Sequence, residues 1–257
     1  MPEDGAAIAR GPGAAEMEAM DRDGFVVVRG FFDPAEMADL LRWTDEVSGA
    51  PELPGRQMVY YEDSLTEPGR RVVQRIENFC PFHAGFDRLI RRGRLLDWTA
   101  ALMRGPAVLF KEKINYKMPG APGFKAHQDQ QAGWTTYAPV FVTALVTIDP
   151  ATVENGCLEM AAGRHREGMI GEEWNPLPED GLGLVAVPTA PGDVIFFDSF
   201  APHASQANFT ASPRRILYLT YNASEHGDHR VQYFADKRAS FPPDVERSGD
   251  ATYVFRV

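Results

Sequence analysis

Alternation between apolar and polar positions runs through much of this chain. It predicts many short strands with a few early helices. AAEMEAMDRDG (14–24) reads as a short helix ending near Gly24, and Phe25 to Val28 as a strand rich in β-branched residues. Asp33-Pro34 then opens a helix, with Asp33 as N-cap and apolar contacts at Met37, Leu40 and Leu41 through Val47. MVYYEDS (58–64) and RVVQRIEN (71–78) read as strands, and Phe86 to Met103 as one or two helices with a break at Gly93. The run FKEKINYKM (110–118) alternates strictly. Phe110, Glu112, Ile114, Tyr116 and Met118 share one face, and Lys111, Lys113, Asn115 and Lys117 share the other. Further strands are expected at 140–148, CLEM (157–160), 184–187, 193–197 and RILYLTY (215–221), with a last one at TYVFRV (252–257). Turn signals such as Pro119-Gly120, Pro122-Gly123 and Pro191-Gly192 separate these runs.

This pattern predicts a mainly β fold, a strand barrel or sandwich covered by helices on one side. With 257 residues and no internal repeat or linker, one domain over 1–257 is expected, with 1–14 flexible. Twenty Pro and 23 Gly fit short elements and many turns rather than a helical bundle.

A net charge of −10 excludes a general nucleic-acid binder, since no basic stripe faces a phosphate backbone. No run is long and apolar enough for a membrane span, and the N-terminus lacks the apolar segment of a signal peptide. Two cysteines, Cys80 and Cys157, without CxxC spacing, read as reduced thiols of a cytoplasmic protein.

The chemistry centres on His127-Gln128-Asp129. In extended chain, residues two apart point the same way, so an imidazole and a carboxylate share a face. His203, beyond VIFFDSFAP, supplies a third ligand. Two histidines and one carboxylate make the facial triad of non-haem Fe(II) oxygenases, with open positions for a cosubstrate such as a 2-oxo acid and for oxygen. The distal carboxylate of that cosubstrate needs a guanidinium fork. Arg214 and Arg215 both lie at the start of the returning strand and point to opposite faces, so one of them is the clamp. Lys113 and Asn115 either line the site or form a solvated face. Zinc in a hydrolase also uses this ligand set, but no separate carboxylate is marked as general base. A non-catalytic binding protein of the same fold would require a broken triad or a missing clamp.

Several segments together resemble the phytanoyl-CoA dioxygenase family of Fe(II)/2-oxoglutarate-dependent oxygenases. They are DGFVVVRGFFDP, His127-Gln128-Asp129 with Trp134 shortly after, ENGCLEMAAGRH (154–165), PGDVIFFDSFAPHAS (191–205) and PRRILYLTYN (213–222). The resemblance covers residues 21 to about 222. It implies a double-stranded β-helix (jelly-roll) core with flanking helices. It also implies iron held by His127, Asp129 and His203, and 2-oxoglutarate held by Arg214 with Lys113 or Asn115 and Ser205. Within the family, EKINYKMPGAPGFKAHQDQQAGW is similar to the corresponding run of bacterial enzymes that hydroxylate 2-aminoethylphosphonate or its trimethylammonio analogue at the carbon next to phosphorus. A small polar or zwitterionic substrate, a phosphonate, is therefore expected. The same chemistry on another small zwitterion is the alternative. Donors for the phosphonate are Gln128, Gln130, Gln131 and Arg164 beside Lys113 and Asn115. Tyr60, Tyr61, Trp134 and Tyr137 offer faces to an ammonium end, and Glu77 or Asp198 a charge.

Overall fold

The computed structural model describes residues 11–249 and 252–253. Helix α1 (Ala14–Asp23) and strand β1 (Phe25–Val28) open the chain. Helix α2 (Pro34–Ser48) starts as expected: the Asp33 carboxylate accepts from the amides of Ala35 and Glu36, and Glu36 reaches back to the Asp33 amide. Strands β2 (Met58–Asp63) and β3 (Arg71–Glu77) form a hairpin. Helices α3 (Ala84–Arg91) and α4 (Arg94–Leu102) follow, broken at Gly93, whose φ of +78° suits glycine. Then come β4 (Ala107–Lys117), β5 (Phe124–His127), β6 (Phe141–Thr147), β7 (Leu158–Ala161), β8 (Leu184–Val187), β9 (Val194–Asp198), β10 (His203–Ser205) and β11 (Arg214–Ala223). Helix α5 (Arg230–Ser240) ends the regular elements.

All strand pairs are antiparallel. They form a seven-stranded sheet, β1-β9-β6-β11-β4-β3-β2, and a four-stranded sheet, β5-β10-β7-β8. This is the expected jelly-roll arrangement. Apolar side chains on the outer face of the large sheet, Ile114, Val146, Phe196 and Leu217 among them, meet α2, α3 and α4 in the largest core. A second core, with Leu145, Met160, Ile195 and Ile216, fills the space between the sheets. The rest of that space holds the polar positions that the site uses.

Strand register decides which residues those are. Lys111, Lys113 and Lys117 of β4 lie opposite Thr220, Tyr218 and Arg214 of β11. Their shared face looks inward, so the lysine row is buried rather than solvated. Thr220 pairs with Lys111 and Tyr221 with Leu109, so β4 carries a bulge at Phe110 that breaks its strict alternation. Phe110 therefore leaves the face expected for it and packs with Phe141 and Tyr233, ring centroids 4.5 and 4.6 Å away.

The segment after β11 covers the mouth of the sandwich. Arg230 makes a buried ion pair with Glu112, with its Nε 2.9 Å from the carboxylate. The Tyr60 hydroxyl donates to the Phe241 carbonyl at 2.8 Å. The flexible stretch expected at 1–14 falls mostly on residues outside those described, and α1 already begins at Ala14. The last expected strand also lies largely outside them. Among the described residues no helix is long and apolar enough to cross a membrane.

Candidate active site

Strand pairing builds the metal centre. His127 of β5 and His203 of β10 are direct cross-strand partners, which sets their rings 4.3 Å apart. Gln128 stays extended, and Asp129 begins a 3₁₀ turn, so its carboxylate returns to the side of His127. One ligand atom from each of His127, Asp129 and His203 lies within 4.8 Å of the others.

Hydrogen bonds orient the imidazoles. His127 Nδ1 lies 2.7 Å from the Lys125 carbonyl, and His203 Nδ1 3.0 Å from the Ala201 carbonyl. A carbonyl only accepts, so each Nδ1 carries the proton and each Nε2 keeps its lone pair for a metal. Burial and the neighbouring His203 push His127 down to about 3, and burial lowers His203 too. Burial works against the Asp129 carboxylate, yet His203, Lys111 and Lys113 hold it below the usual range. Thr143 donates to Asp129 at 3.4 Å and exchanges a 2.9 Å hydrogen bond with Thr220. Neutral imidazoles beside an ionised carboxylate are the protonation state a ferrous ion requires.

Arg214 lies on the inward face of β11 and is fully buried. Its Nη1 donates to the Gly156 carbonyl at 2.8 Å, while Nε and Nη2 have no hydrogen-bond partner among the described residues. Asn115 Oδ1 is likewise buried without a partner. A buried guanidinium edge with only the Tyr218 hydroxyl beside it fits the distal carboxylate of 2-oxoglutarate. Arg215 turns outward instead and pairs with Asp149 and Asp45. Beside Arg214, Lys117 donates to Ser205 Oγ at 2.7 Å and to the Gly156 carbonyl at 3.3 Å. Burial and the Arg214 charge push this lysine down to about 6.

Above the triad opens a cavity of about 1030 Å³. Its charge is zoned. Arg75, Lys111, Lys113 and Lys237 lie deep, with Glu77 among them, while Glu62, Glu173 and Asp236 stand nearer the rim. Glu77 pairs with Arg75 at 2.7 Å and Lys237 at 2.9 Å. Lys111 and Lys113 have no carboxylate within ion-pair distance among the described residues. They face aromatic rings instead: Lys111 Nζ is 4.1 Å from the Trp134 centroid and Lys113 Nζ 4.9 Å from that of Tyr218. Burial drives both lysines below their ordinary range.

Several residues expected to bind substrate are placed elsewhere. Gln128 spends its amide on the carbonyls of Gly168 and Phe200 and on the Ile170 amide. Gln130 donates to the Pro139 carbonyl, and Gln131 to those of Glu172 and Asn175. All three hold loops around the site and do not line the cavity. Arg164 pairs with Glu167 on a surface turn. Asp198 accepts from the Phe200 amide. Tyr60 packs behind the cavity against Phe241, and Tyr61 faces the opposite side of the sheet beside Arg71. Trp134 does line the cavity, but the cation on its ring is the protein's own Lys111. Tyr137 also lines it, with its hydroxyl donating to Asp236 at 2.6 Å. Sequence reasoning missed Arg75, Lys111 and Lys237 as cavity cations. The alternation that singled out Lys113 marks Lys111 equally, whereas nothing local marks Lys237.

Comparison with known proteins agrees with this geometry. The family model for phytanoyl-CoA dioxygenase matches residues 20–216. A methylphosphonate hydroxylase from Gimesia maris is 40% identical over 247 residues, covering 95% of this chain and 93% of the relative. A 2-aminoethylphosphonate dioxygenase from an uncultured bacterium is 37% identical over 239 residues, covering 88% and 87%. The crystal structure of EctD from S. alaskensis with 2-oxoglutarate and 5-hydroxyectoine superposes with a TM-score of 0.70 at 27% identity, covering 84% of this chain and 77% of that one.

Proposed function

This chain belongs to the phytanoyl-CoA dioxygenase family, and from that premise we propose that it hydroxylates a small aminoalkylphosphonate at the carbon next to phosphorus. It is an Fe(II)/2-oxoglutarate-dependent dioxygenase. His127, Asp129 and His203 would hold the ferrous ion, and Arg214 with Asn115 the 2-oxoglutarate. Bound there, iron and 2-oxoglutarate would let O2 replace a substrate C–H by C–OH, one oxygen atom entering the product and the other the succinate released with CO2. The chain's own residues select which carbon lies near the metal.

The observation that carries the substrate reading is the zoning of charge. Four deep cations face one carboxylate, Glu77, apart from the ligand Asp129. Unpaired buried ammonium groups are costly, and a phosphonate dianion resting on Lys111 and Lys113 removes that cost. Asp236, which accepts from the Tyr137 hydroxyl at the rim of the same cavity, offers a carboxylate to an ammonium end. Methylphosphonate is the second reading, favoured by the 40% identity to the Gimesia maris hydroxylase. The whole chain reads as one domain, and its two unbridged, buried cysteines accord with a reducing cytoplasm.

The test is succinate formation from 2-oxoglutarate under air with added Fe(II). Parallel reactions contain 2-aminoethylphosphonate, its trimethylammonio analogue, methylphosphonate or no substrate. Turnover coupled to an aminoalkylphosphonate is expected. Coupling to methylphosphonate alone selects the second reading. Turnover that no phosphonate stimulates refutes both.

A further inference from the structure

The family model stops at residue 216, yet the cavity does not. Helix α5, beyond that limit, closes one side with Tyr233, Asp236 and Lys237. It is firmly held. Its first residue, Arg230, is bound to buried Glu112 and donates to Asn78 at 2.9 Å, and Phe241 just past its end stacks on Tyr60 at 5.5 Å. A helix tied at both ends is a wall rather than a lid.

Lys237 is the one cation this wall contributes to the deep group. Its ammonium lies 2.9 Å from Glu77, which Arg75 already pairs. An ammonium has three donors, and among the described residues only Glu77 takes from this one. Arg75 on β3, Lys111 and Lys113 on β4, and the rings of Tyr60 and Tyr233, at 5.6 and 5.8 Å, surround it. Without Lys237, Arg75 alone would offset Glu77, leaving the two positive charges of Lys111 and Lys113 to meet the head group. With it the excess is three, and each added cation favours a head group carrying two negative charges over one carrying a single charge.

We propose that Lys237 is the specificity-determining residue that sets this cavity for a dianionic phosphonate head group over a monoanionic one of the same shape. The inference rests on the reading of the substrate as a phosphonate. It places the discriminating charge on α5, beyond residue 216, where the match to the family model ends. Catalytic contacts come from the β-sandwich, while head-group charge is read partly by the helix that closes it.

A matched pair of ligands tests this. 2-Aminoethylphosphonate and 2-aminoethanesulfonate differ in head-group charge and hardly in shape. Each is titrated calorimetrically, without oxygen, into the full chain loaded with Fe(II) and 2-oxoglutarate. The same is done with Lys237→Met and Lys237→Arg. The wild type is expected to favour the phosphonate by about 10- to 100-fold, the range of one charge-assisted contact. Lys237→Met narrows that gap several-fold, and Lys237→Arg keeps most of it. A gap undiminished in a folded Lys237→Met protein, or an equal loss for both ligands, overturns the proposal. A wild type that binds no phosphonate overturns the substrate reading itself and the inference with it. Thermal melting of each variant identifies one that has merely failed to fold, and for such a variant the retained or lost gap of Lys237→Arg decides.

Discussion

Replacing Arg214 by methionine separates a binding role from a structural one. The guanidinium is fully buried, and burial presses its pKa downward. One nitrogen is committed to the Gly156 carbonyl, and the Nε and Nη2 edge has only the Tyr218 hydroxyl beside it. If that edge receives the distal carboxylate of 2-oxoglutarate, Arg214→Met removes two charge-assisted hydrogen bonds. At about 1.5–3 kcal/mol each, the loss is about 3–6 kcal/mol, or roughly 10²- to 10⁴-fold in affinity. The effect on the unliganded fold has a different sign. Losing the bond to Gly156 costs about 1 kcal/mol, and Lys117 still donates to that carbonyl at 3.3 Å. Against this, an uncompensated buried charge disappears, and apolar replacement of such charges is often neutral or stabilising. The metal-free protein should therefore melt within about 3 °C of wild type, or higher. Anaerobic titration of 2-oxoglutarate into the Fe(II) protein gives the first number, and thermal denaturation of the metal-free protein the second. A loss of affinity below about tenfold, or a melting temperature lower by more than about 5 °C, refutes the assignment of Arg214 as the clamp.

Three further outcomes follow from particular contacts. Gln128→Leu removes three hydrogen bonds from a fully buried side chain, so it should cost about 3–5 kcal/mol in chemical denaturation while the phosphonate KM of the folded enzyme changes less than about threefold. A KM raised tenfold would return this residue to the substrate. Gly156→Ala forces a side chain onto a φ of +72°, with a Cβ 2.0 Å from the Gln206 carbonyl. It should destabilise by about 2–4 kcal/mol and weaken 2-oxoglutarate binding, because Gly156 anchors both Arg214 and Lys117. Burial opposes the Glu77 carboxylate, but Lys237, Arg75 and Lys111 hold it well below the usual range. A depressed carboxylate contributes stability above its unfolded pKa of about 4.3 and loses it as pH falls. Wild type should thus lose melting temperature steeply below about pH 4, and Glu77→Gln should show a flatter acid limb in the same scan.

What could be read from the sequence divides along a physical line. Local rules found what depends on neighbours in the chain. The Asp33-Pro34 cap, the Gly93 break and the order of short strands all follow from capping, φ preference and alternation. The grouping of His127 with Asp129 follows from an extended residue between them. What local rules could not supply was the far side of each contact. Alternation put Lys111, Lys113 and Lys117 on one face but left open whether that face met water. The pairing of β4 with β11, and the arrival of β5 and β10 above them, decided it. Phe110 departed from its expected face because it is itself the extra residue of a bulge in the pairing with β11, a register that no pattern within 110–118 encodes.

The polar residues beside the triad show the same limit more sharply. Gln128, Gln130 and Gln131 are donors of the right kind, a few residues from the metal ligands, and nearness in sequence made them substrate candidates. A buried amide must satisfy its hydrogen bonds wherever partners exist, and loop carbonyls from 138–139, 168, 172, 175 and 200 reached them first. Lys111 and Lys113 had no such competitor, since a neighbouring β-sheet spends its carbonyls on its own ladder. Among the described residues Lys111 donates to the Tyr233 hydroxyl at 3.4 Å and Lys113 faces the Tyr218 ring, which leaves donors of both available. In a buried site, then, the residues that bind a ligand are those whose needs the fold leaves unmet. That property belongs to the assembled partners rather than to residue type, so Lys237, more than a hundred residues from the triad motif, could join the site unannounced.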